Sequence, residues 1–252
     1  MERWTGRVAL VTGASVGIGA AICKSLVQAG LKVVGAARGV EKVEQLSKEI
    51  NGSKGSLLAV KCDVTKDDDV YSLFDTIKKS YGGIDICINN AGMSFNSSLL
   101  DGTPEQWRHA MDVNVIALCL CTKLAVKSMR ERNVDDGQII NISSMSGHRV
   151  TPSASTHFYA GTKFAVKALT EGYRQELRAA KSHIRVSMVS PGIVETEFVG
   201  RMQNDFEKAK EHYSALESLQ AEDIANTVLH IISAPPRVEI NDVLIRPTEQ
   251  QV

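Results

Sequence analysis

The sequence contains 252 residues, of which 43% are hydrophobic and 23% are charged, enough for one sizeable core. Its 29 basic side chains balance 29 acidic ones, so the net charge indicates neither a nucleic-acid partner nor a membrane surface. The longest unbroken apolar stretch, 115–121, is shorter than the ~20 residues that span a bilayer, so we expect no membrane span. No secretory signal pattern precedes the first strand-like stretch, and an odd number of cysteines without a C-x-x-C pair is typical of reduced thiols. We therefore expect a cytoplasmic protein.

Strand-like and helix-like segments alternate along the chain. In its first part, strands are predicted at 7–12, 32–37, 57–61 and 84–88, and helices at 17–29, 41–50 and 66–80. In its second part, strands are predicted at 137–143, 184–189 and 242–245, and helices at 158–180, 198–219 and 221–232, with one or two long helices over 104–132. Continuously apolar strands that alternate with helices are typical of a parallel sheet with helices on both faces. We predict one Rossmann-type, doubly wound α/β domain over 1–252, with seven parallel strands in the order 3-2-1-4-5-6-7.

A glycine-rich turn joins the first predicted strand to the first predicted helix. Gly13 suits a tight turn, Gly17 leaves room for a pyrophosphate beside the backbone, and Gly19 lets helix and strand pack closely. The helix N-terminus offers free N–H groups to phosphates, so we include Ser15 and Ile18 among the expected contacts. An ordinary glycine-rich turn is the alternative, but the flanking strand and helix favour dinucleotide binding.

The end of the second predicted strand indicates which dinucleotide binds. An acidic residue at this place usually accepts hydrogen bonds from the adenosine ribose. Here Arg38 follows the strand instead, and a guanidinium can hold a 2′-phosphate through charge-assisted hydrogen bonds. The alternative is a solvated surface arginine. We predict NADP(H) as the cofactor, with Asp63 and Val64, after the third strand, placed to reach its adenine.

Tyr159 and Lys163 lie four residues apart on a predicted helix and therefore share one face. A nearby ammonium favours the phenolate, so we expect Lys163 to lower the pKa of Tyr159 and to make it an acid/base group. Ser144 ends the fifth strand, where its hydroxyl can hold a substrate oxygen. A chance Tyr–Lys spacing and a serine that only caps its own loop are the alternatives.

These residues occur in an order that resembles the short-chain dehydrogenase/reductase family over the whole chain. The shared motifs are Thr12-Gly13-x-x-x-Gly17-x-Gly19, Asn89-Asn90-Ala91-Gly92, Asn114, the Ser143-Ser144 pair, Tyr159-x-x-x-Lys163 and Pro191-Gly192. The resemblance implies that Tyr159 is the acid/base group, that Ser144 positions the substrate oxygen, and that Lys163 also bonds the nicotinamide ribose. It implies that Asn114 holds a water linking Lys163 to solvent. It further implies that the nicotinamide half of the cofactor is lined by Asn90, Ala91, Gly92, Pro191, Gly192, Val194 and Thr196.

Four further segments carry a closer resemblance: Asn133-Val134-Asp135-Asp136-Gly137, Met145-Ser146-Gly147-His148-Arg149-Val150, Thr156-His157-Phe158-Tyr159 and Arg246-Pro247-Thr248-Glu249-Gln250. They resemble a branch of the family that contains insect NADP-dependent farnesol dehydrogenases and vertebrate steroid and carbonyl reductases. This likeness implies an apolar alcohol or carbonyl substrate and a homodimer or homotetramer. Two departures from the family pattern stand out. Ser144 precedes Tyr159 by 15 residues, and Ser146, at 13 residues, matches the commoner spacing and remains the alternative to Ser144. The segment 246–250, Arg-Pro-Thr-Glu-Gln, replaces the family's usual Asp-Gly-Gly ending.

The segment 198–220 is the predicted substrate lid. Phe198 and Met202 recur at helical spacing and are predicted to contact an apolar substrate, although a stripe of this kind equally suits a core. No metal-ligand spacing occurs among the His, Cys and Asp residues, so we predict no metal. The expected function is hydride transfer between NADP(H) and an alcohol or carbonyl group. The alternative is a dinucleotide-binding sensor without chemistry.

Overall fold

The computed structural model describes residues 1–214 and 216–251, so Ala215 and Val252 of the predicted domain lie outside the described residues. Within those ranges one parallel sheet has the strand order β3-β2-β1-β4-β5-β6-β7. Its strands are β1 (Val8–Thr12), β2 (Lys32–Ala37), β3 (Ser56–Lys61), β4 (Ile86–Asn89), β5 (Gln138–Ile142), β6 (Arg185–Pro191) and β7 (Asp242–Ile245). The predicted doubly wound fold and strand order are confirmed.

Helices cover both faces of the sheet. In chain order they are α1 (Gly17–Gln28), α2 (Val40–Glu49), α3 (Asp67–Tyr81), α4 (Pro104–Met111), α5 (Ala117–Glu131), α6 (His157–Ala179), α7 (Glu197–Gln203), α8 (Phe206–Ser214) and α9 (Ala221–Ser233). Successive residues of β1 point to opposite faces. Val11 therefore packs with Ile22 of α1 and Val228 of α9, whereas Leu10 packs with Leu73 of α3 on the other face. Each such fully buried side chain contributes roughly 1.5–3 kcal/mol to folding.

A π-helical turn, Asp112–Ile116, joins α4 to α5 without a break. The continuous stretch Pro104–Glu131 has the length and apolar composition of a membrane-spanning helix, and 44% of its most apolar window is buried in the fold. Cys121, Ala125 and Met129 of this stretch belong to the core beside the sheet. Packing inside the molecule therefore accounts for part of its apolar character.

The helical segment predicted at 198–219 contains two helices rather than one continuous helix. Asn204 adopts a left-handed conformation (φ 53°) and ends α7, after which α8 begins at Phe206. The Phe206 ring packs over Gly200, where an added Cβ would lie 2.8 Å from Phe206 Cε1. Asparagine tolerates the left-handed region better than most residues, which explains the break at this position.

Candidate active site

One cavity of about 650 Å³ follows the carboxyl-terminal edge of the sheet, and we call it the cleft. The segments that follow β1 to β6 all reach it, because the carboxyl ends of parallel strands meet at one edge. Every residue predicted to contact the cofactor lines this cleft. These residues are Gly13, Ser15, Gly17, Ile18, Gly19, Arg38, Asp63, Val64, Asn90, Ala91, Gly92, Tyr159, Lys163, Pro191, Gly192, Val194 and Thr196.

The glycine turn between β1 and α1 has the shape that a diphosphate requires. Gly13 (φ 67°) and Gly17 (φ 55°) adopt left-handed conformations. A Cβ on Gly19 would overlap the main-chain oxygen of Gly13 and lie 2.6 Å from Asn90 Nδ2. Among the described residues no side chain caps the N-terminus of α1, so its first main-chain N–H groups have no side-chain capping partner there. The turn therefore fits a phosphate-bearing ligand.

Asn90 and Thr12 join the glycine turn to the end of β4. Thr12 Oγ1 accepts hydrogen bonds from the main-chain N–H groups of Asn90 and Ala91, both at 3.1 Å. Asn90 Nδ2 donates to the main-chain oxygens of Thr12 (2.9 Å) and Gly13 (3.2 Å). The Asn90 side chain therefore holds the turn in place and also lines the cleft.

The far end of the cleft is rich in charge. The exposed Arg38 contributes to the local charge around Asp63. Burial raises the pKa of Asp63, but hydrogen bonds from Thr65 and the charge of Arg38 hold it below its ordinary value. Lys42 Nζ on α2 lies 3.2 Å from Glu197 Oε1 on α7, so an ion pair connects this end to the predicted lid. Pairs of this exposure stabilise by at most about 1 kcal/mol.

Tyr159 and Lys163 face the cleft from successive turns of α6. Lys163 Nζ lies 5.5 Å from the centre of the Tyr159 ring and donates a 3.0 Å hydrogen bond to the Ile142 main-chain oxygen. Burial lowers the pKa of Lys163 to about 8. Burial also raises the pKa of Tyr159 to about 12, against the lowering effect of a hydrogen bond with Ser144. The direction is therefore opposite to the lowering expected from the sequence, because burial outweighs the hydrogen bond with Ser144.

Ser144 caps its own loop and also lines the cleft. Its Oγ accepts a 3.1 Å hydrogen bond from the Ser146 N–H and so caps the short 3-10 turn Met145–Gly147. The same side chain interacts with Tyr159 and lines the cleft, which Ser146 does not line. The neighbouring Ser143 also lines it, and its buried Oγ has no hydrogen-bond partner among the described residues. This orphaned hydroxyl is further evidence that the cleft accommodates a polar ligand.

Asn114 lies in the π-helical turn and does not line the cleft. Its Nδ2 donates to the Met93 main-chain oxygen (2.9 Å) and Thr162 Oγ1 (3.0 Å), while its Oδ1 accepts the Met93 N–H at 2.8 Å. Asn114 thereby fixes the segment after β4 to α6, beside Lys163. The water-holding role implied by the family resemblance stays a prediction.

The remaining wall of the cleft is largely apolar. Phe198 lies there as predicted, with its ring centre 5.6 Å from that of Tyr159. Met202, the other predicted substrate contact, does not line the cleft, because α7 presents Phe198, Val199 and Arg201 to it instead. Four residues of separate elements also line the cleft and were not predicted: Met93, His109, Val113 and Tyr213. Only the spacing of His109 and Val113, one helical turn apart, could have pointed to them.

Comparison with known proteins defines the class. Residues 7–207 match the family described as short chain dehydrogenase, and the chain belongs to this family of oxidoreductases. It is 55% identical over 253 residues to dehydrogenase/reductase SDR family member 11 of Gallus gallus, covering 99% of each chain. It is 43% identical over 254 residues to farnesol dehydrogenase of Aedes aegypti, covering 100% of each.

A solved structure supports the same assignment. The closed form of serine dehydrogenase, complexed with NADP+, is 29% identical and superposes with a TM-score of 0.88, over 97% of this chain and 96% of that one. The fold of the cleft-bearing sheet is therefore shared with a protein that binds the predicted cofactor.

Proposed function

We propose that this protein is an NADP(H)-dependent oxidoreductase that interconverts an apolar alcohol and the corresponding carbonyl compound. The observation that carries the proposal is the convergence of Tyr159, Lys163 and Ser144 on one wall of a cleft that extends to Arg38. We further propose that residues 1–252 act as a single catalytic domain, in the cytoplasm and as a homodimer or homotetramer.

The glycine turn and Arg38 support NADP(H) as the cofactor. The left-handed Gly13 and Gly17 leave room for a diphosphate, and the guanidinium of Arg38 suits a 2′-phosphate. The serine dehydrogenase of similar fold was solved with NADP+. When bound, the nicotinamide supplies or accepts the hydride.

The protein's own residues handle the proton. On oxidation, the Tyr159 oxygen takes the proton of the substrate hydroxyl, and on reduction the phenol returns it to the carbonyl oxygen. Ser144 Oγ accepts the Ser146 N–H, so its own hydrogen remains available to the substrate oxygen or to Tyr159. The Lys163 ammonium, held by Ile142, favours the phenolate when oxidation begins.

The substrate class follows from the other wall. Phe198 packs next to Tyr159, and Val199, Met93 and Val113 add further apolar side chains to the lining of the cleft. The mosquito relative is named a farnesol dehydrogenase, and the identity extends over its full length. An isoprenoid alcohol such as farnesol, or a steroid or similar ketone, is the substrate class we propose.

The test is a screen of the purified protein for NADPH oxidation and NADP+ reduction with isoprenoid alcohols and aldehydes, steroid ketones and quinone-like compounds. We expect turnover with at least one apolar substrate and weak turnover with small polar alcohols. NADPH binding without turnover across the panel would contradict the proposal and favour the non-catalytic sensor.

A further inference from the structure

The turn that follows β6 is held from outside the cleft by the segment 246–250, which departs from the family's usual ending. Gly192 donates its N–H to the main-chain oxygen of Ile245 at 2.7 Å. Gln250 Oε1 accepts the N–H of the next residue, Ile193, at 3.0 Å. Gly192 and Ile193 both line the cleft, whereas Gln250 does not. The segment therefore reaches the cleft only through this turn.

The close approach depends on a glycine. A Cβ on Gly192 would overlap Gln250 Oε1 and would lie 2.8 Å from Arg246 Cβ. Any larger residue would push the segment away from the turn. The Pro191-Gly192 motif, interpreted from the sequence as a cofactor contact, thus also provides the surface on which Gln250 sits.

The same segment contacts the end of the predicted lid. Leu219 pairs with Val194 of the turn through two main-chain hydrogen bonds. The Leu219 N–H donates to the Ile193 oxygen at 3.1 Å, and the Leu219 oxygen accepts the Glu195 N–H at 2.8 Å. Two residues earlier, the Glu217 N–H donates to Glu249 Oε2 at 3.0 Å. Within one segment, Gln250 thereby contacts the turn that lines the cleft, and the neighbouring Glu249 contacts the chain that returns from the lid.

We propose that Glu249 and Gln250 form a strap that positions the cofactor-lining turn and the lid relative to each other. Gln250 is a positioning residue for the nicotinamide end of the cleft, and Glu249 is a positioning residue for the return of the lid. The cofactor and substrate effects rest on the proposed function. The restraint on the turn does not, because it can be measured on the protein alone.

The first experiment measures amide hydrogen exchange of segment 191–196 in the protein without cofactor. Gln250→Leu removes the acceptor at nearly constant size, Gln250→Glu keeps an oxygen at the same reach, and Gln251→Leu changes the exposed neighbour. We expect exchange at Ile193 to rise about three- to tenfold in Gln250→Leu, as loss of one hydrogen bond predicts, and to stay near wild type in the other two. Equal exchange in Gln250→Leu and wild type would overturn the strap.

The second experiment measures NADPH dissociation constants by fluorescence. Gln250→Leu should weaken NADPH binding about three- to tenfold, Gln250→Glu should restore it, and Gln251→Leu should leave it unchanged. Faster exchange in Gln250→Leu with unchanged NADPH binding would overturn the positioning role. Absence of NADPH binding in the wild type would instead contradict the proposed function, while the exchange result would still decide the strap.

The role of Glu249 is tested by measuring the substrate KM and kcat separately. Glu249→Ala should raise the substrate KM severalfold with little change in the NADPH dissociation constant, and Glu249→Gln, which keeps an acceptor oxygen, should restore KM. An unchanged KM in Glu249→Ala would overturn the contact with the lid as a positioning device.

Discussion

The ammonium of Lys163 lies 5.5 Å from the centre of the Tyr159 ring and bonds to the last residue of β5, Ile142, at 3.0 Å. This relationship fixes α6 to the edge of the sheet and brings the two titratable groups to one place. Because the lysine is only 4% exposed, its charged form is poorly solvated. The pKa values of this pair therefore have measurable consequences.

Burial lowers the pKa of Lys163 from its ordinary value of 10.5 to about 8. Between these values the unfolded chain binds the proton and the folded protein does not, so stability contributed by this group rises with pH. Relative to Lys163→Met, the wild-type free energy of unfolding should gain up to about 1.4 kcal/mol per pH unit within that window. Urea unfolding of both proteins at several pH values checks this. If the free energies of unfolding of the two proteins change with pH in parallel, the pKa of Lys163 is not lowered in the folded protein.

The two serines can be separated by alanine substitution. Ser144→Ala should lower kcat about 100- to 1000-fold, because it removes a donor to the substrate oxygen. It should also raise the pKa of Tyr159 in the pH profile, because the hydrogen bond that lowers this pKa is lost. Ser146→Ala keeps the N–H that donates to Ser144 and should change kcat little. A larger loss of kcat in Ser146→Ala would reverse the assignment.

Cofactor preference should depend on Arg38. Arg38→Asp replaces a guanidinium beside Asp63 with a second carboxylate, so a 2′-phosphate should be repelled and a ribose hydroxyl accepted. The ratio of kcat/KM for NADPH over NADH should fall by at least about tenfold and reverse. Arg237→Asp, at an exposed site away from the cleft, is the control with the same charge change. A ratio that Arg38→Asp leaves intact would exclude Arg38 as the phosphate-binding residue.

Two glycines should respond in opposite directions to alanine. A Cβ on Gly19 would overlap the Gly13 main-chain oxygen, so Gly19→Ala should distort the turn, lower the melting temperature and weaken NADPH binding. Gly172 lies within α6 with nothing within 4 Å of an added Cβ. Gly172→Ala should therefore stabilise the protein by up to about 1 kcal/mol. Thermal unfolding distinguishes the two, and a tolerated Gly19→Ala would contradict the close helix–strand packing.

The sheet and the central side chains could be predicted because their signals are local. Apolar strands alternating with helices indicate a doubly wound parallel sheet, and Tyr159 and Lys163 share a helix face through a spacing of four residues. The glycine turn is similarly local, because Gly13 and Gly17 adopt conformations that only glycine adopts readily. For these features, residues that lie close together in the sequence also lie close together in the site.

The rest depends on tertiary packing. Helical spacing placed Phe198 and Met202 on one stripe, but the break at Asn204 and the orientation of α7 bring only Phe198 to the cleft. Tyr213 joins it from α8 and His109 from α4, a juxtaposition that no sequence spacing encodes. The direction in which the Tyr159 pKa shifts also depends on burial, which the spacing of Tyr159 and Lys163 does not encode.

The most direct test of the account is the Tyr159→Phe variant, which removes one hydroxyl and leaves the ring that packs against Phe198. With a substrate that the wild type turns over, kcat should fall by about 100- to 10,000-fold, the range for loss of a general acid/base. The NADPH dissociation constant should stay near wild type, and Tyr71→Phe, on an exposed face of α3, should leave both quantities unchanged. Turnover by Tyr159→Phe at the wild-type rate would contradict the claim that this phenol transfers the proton.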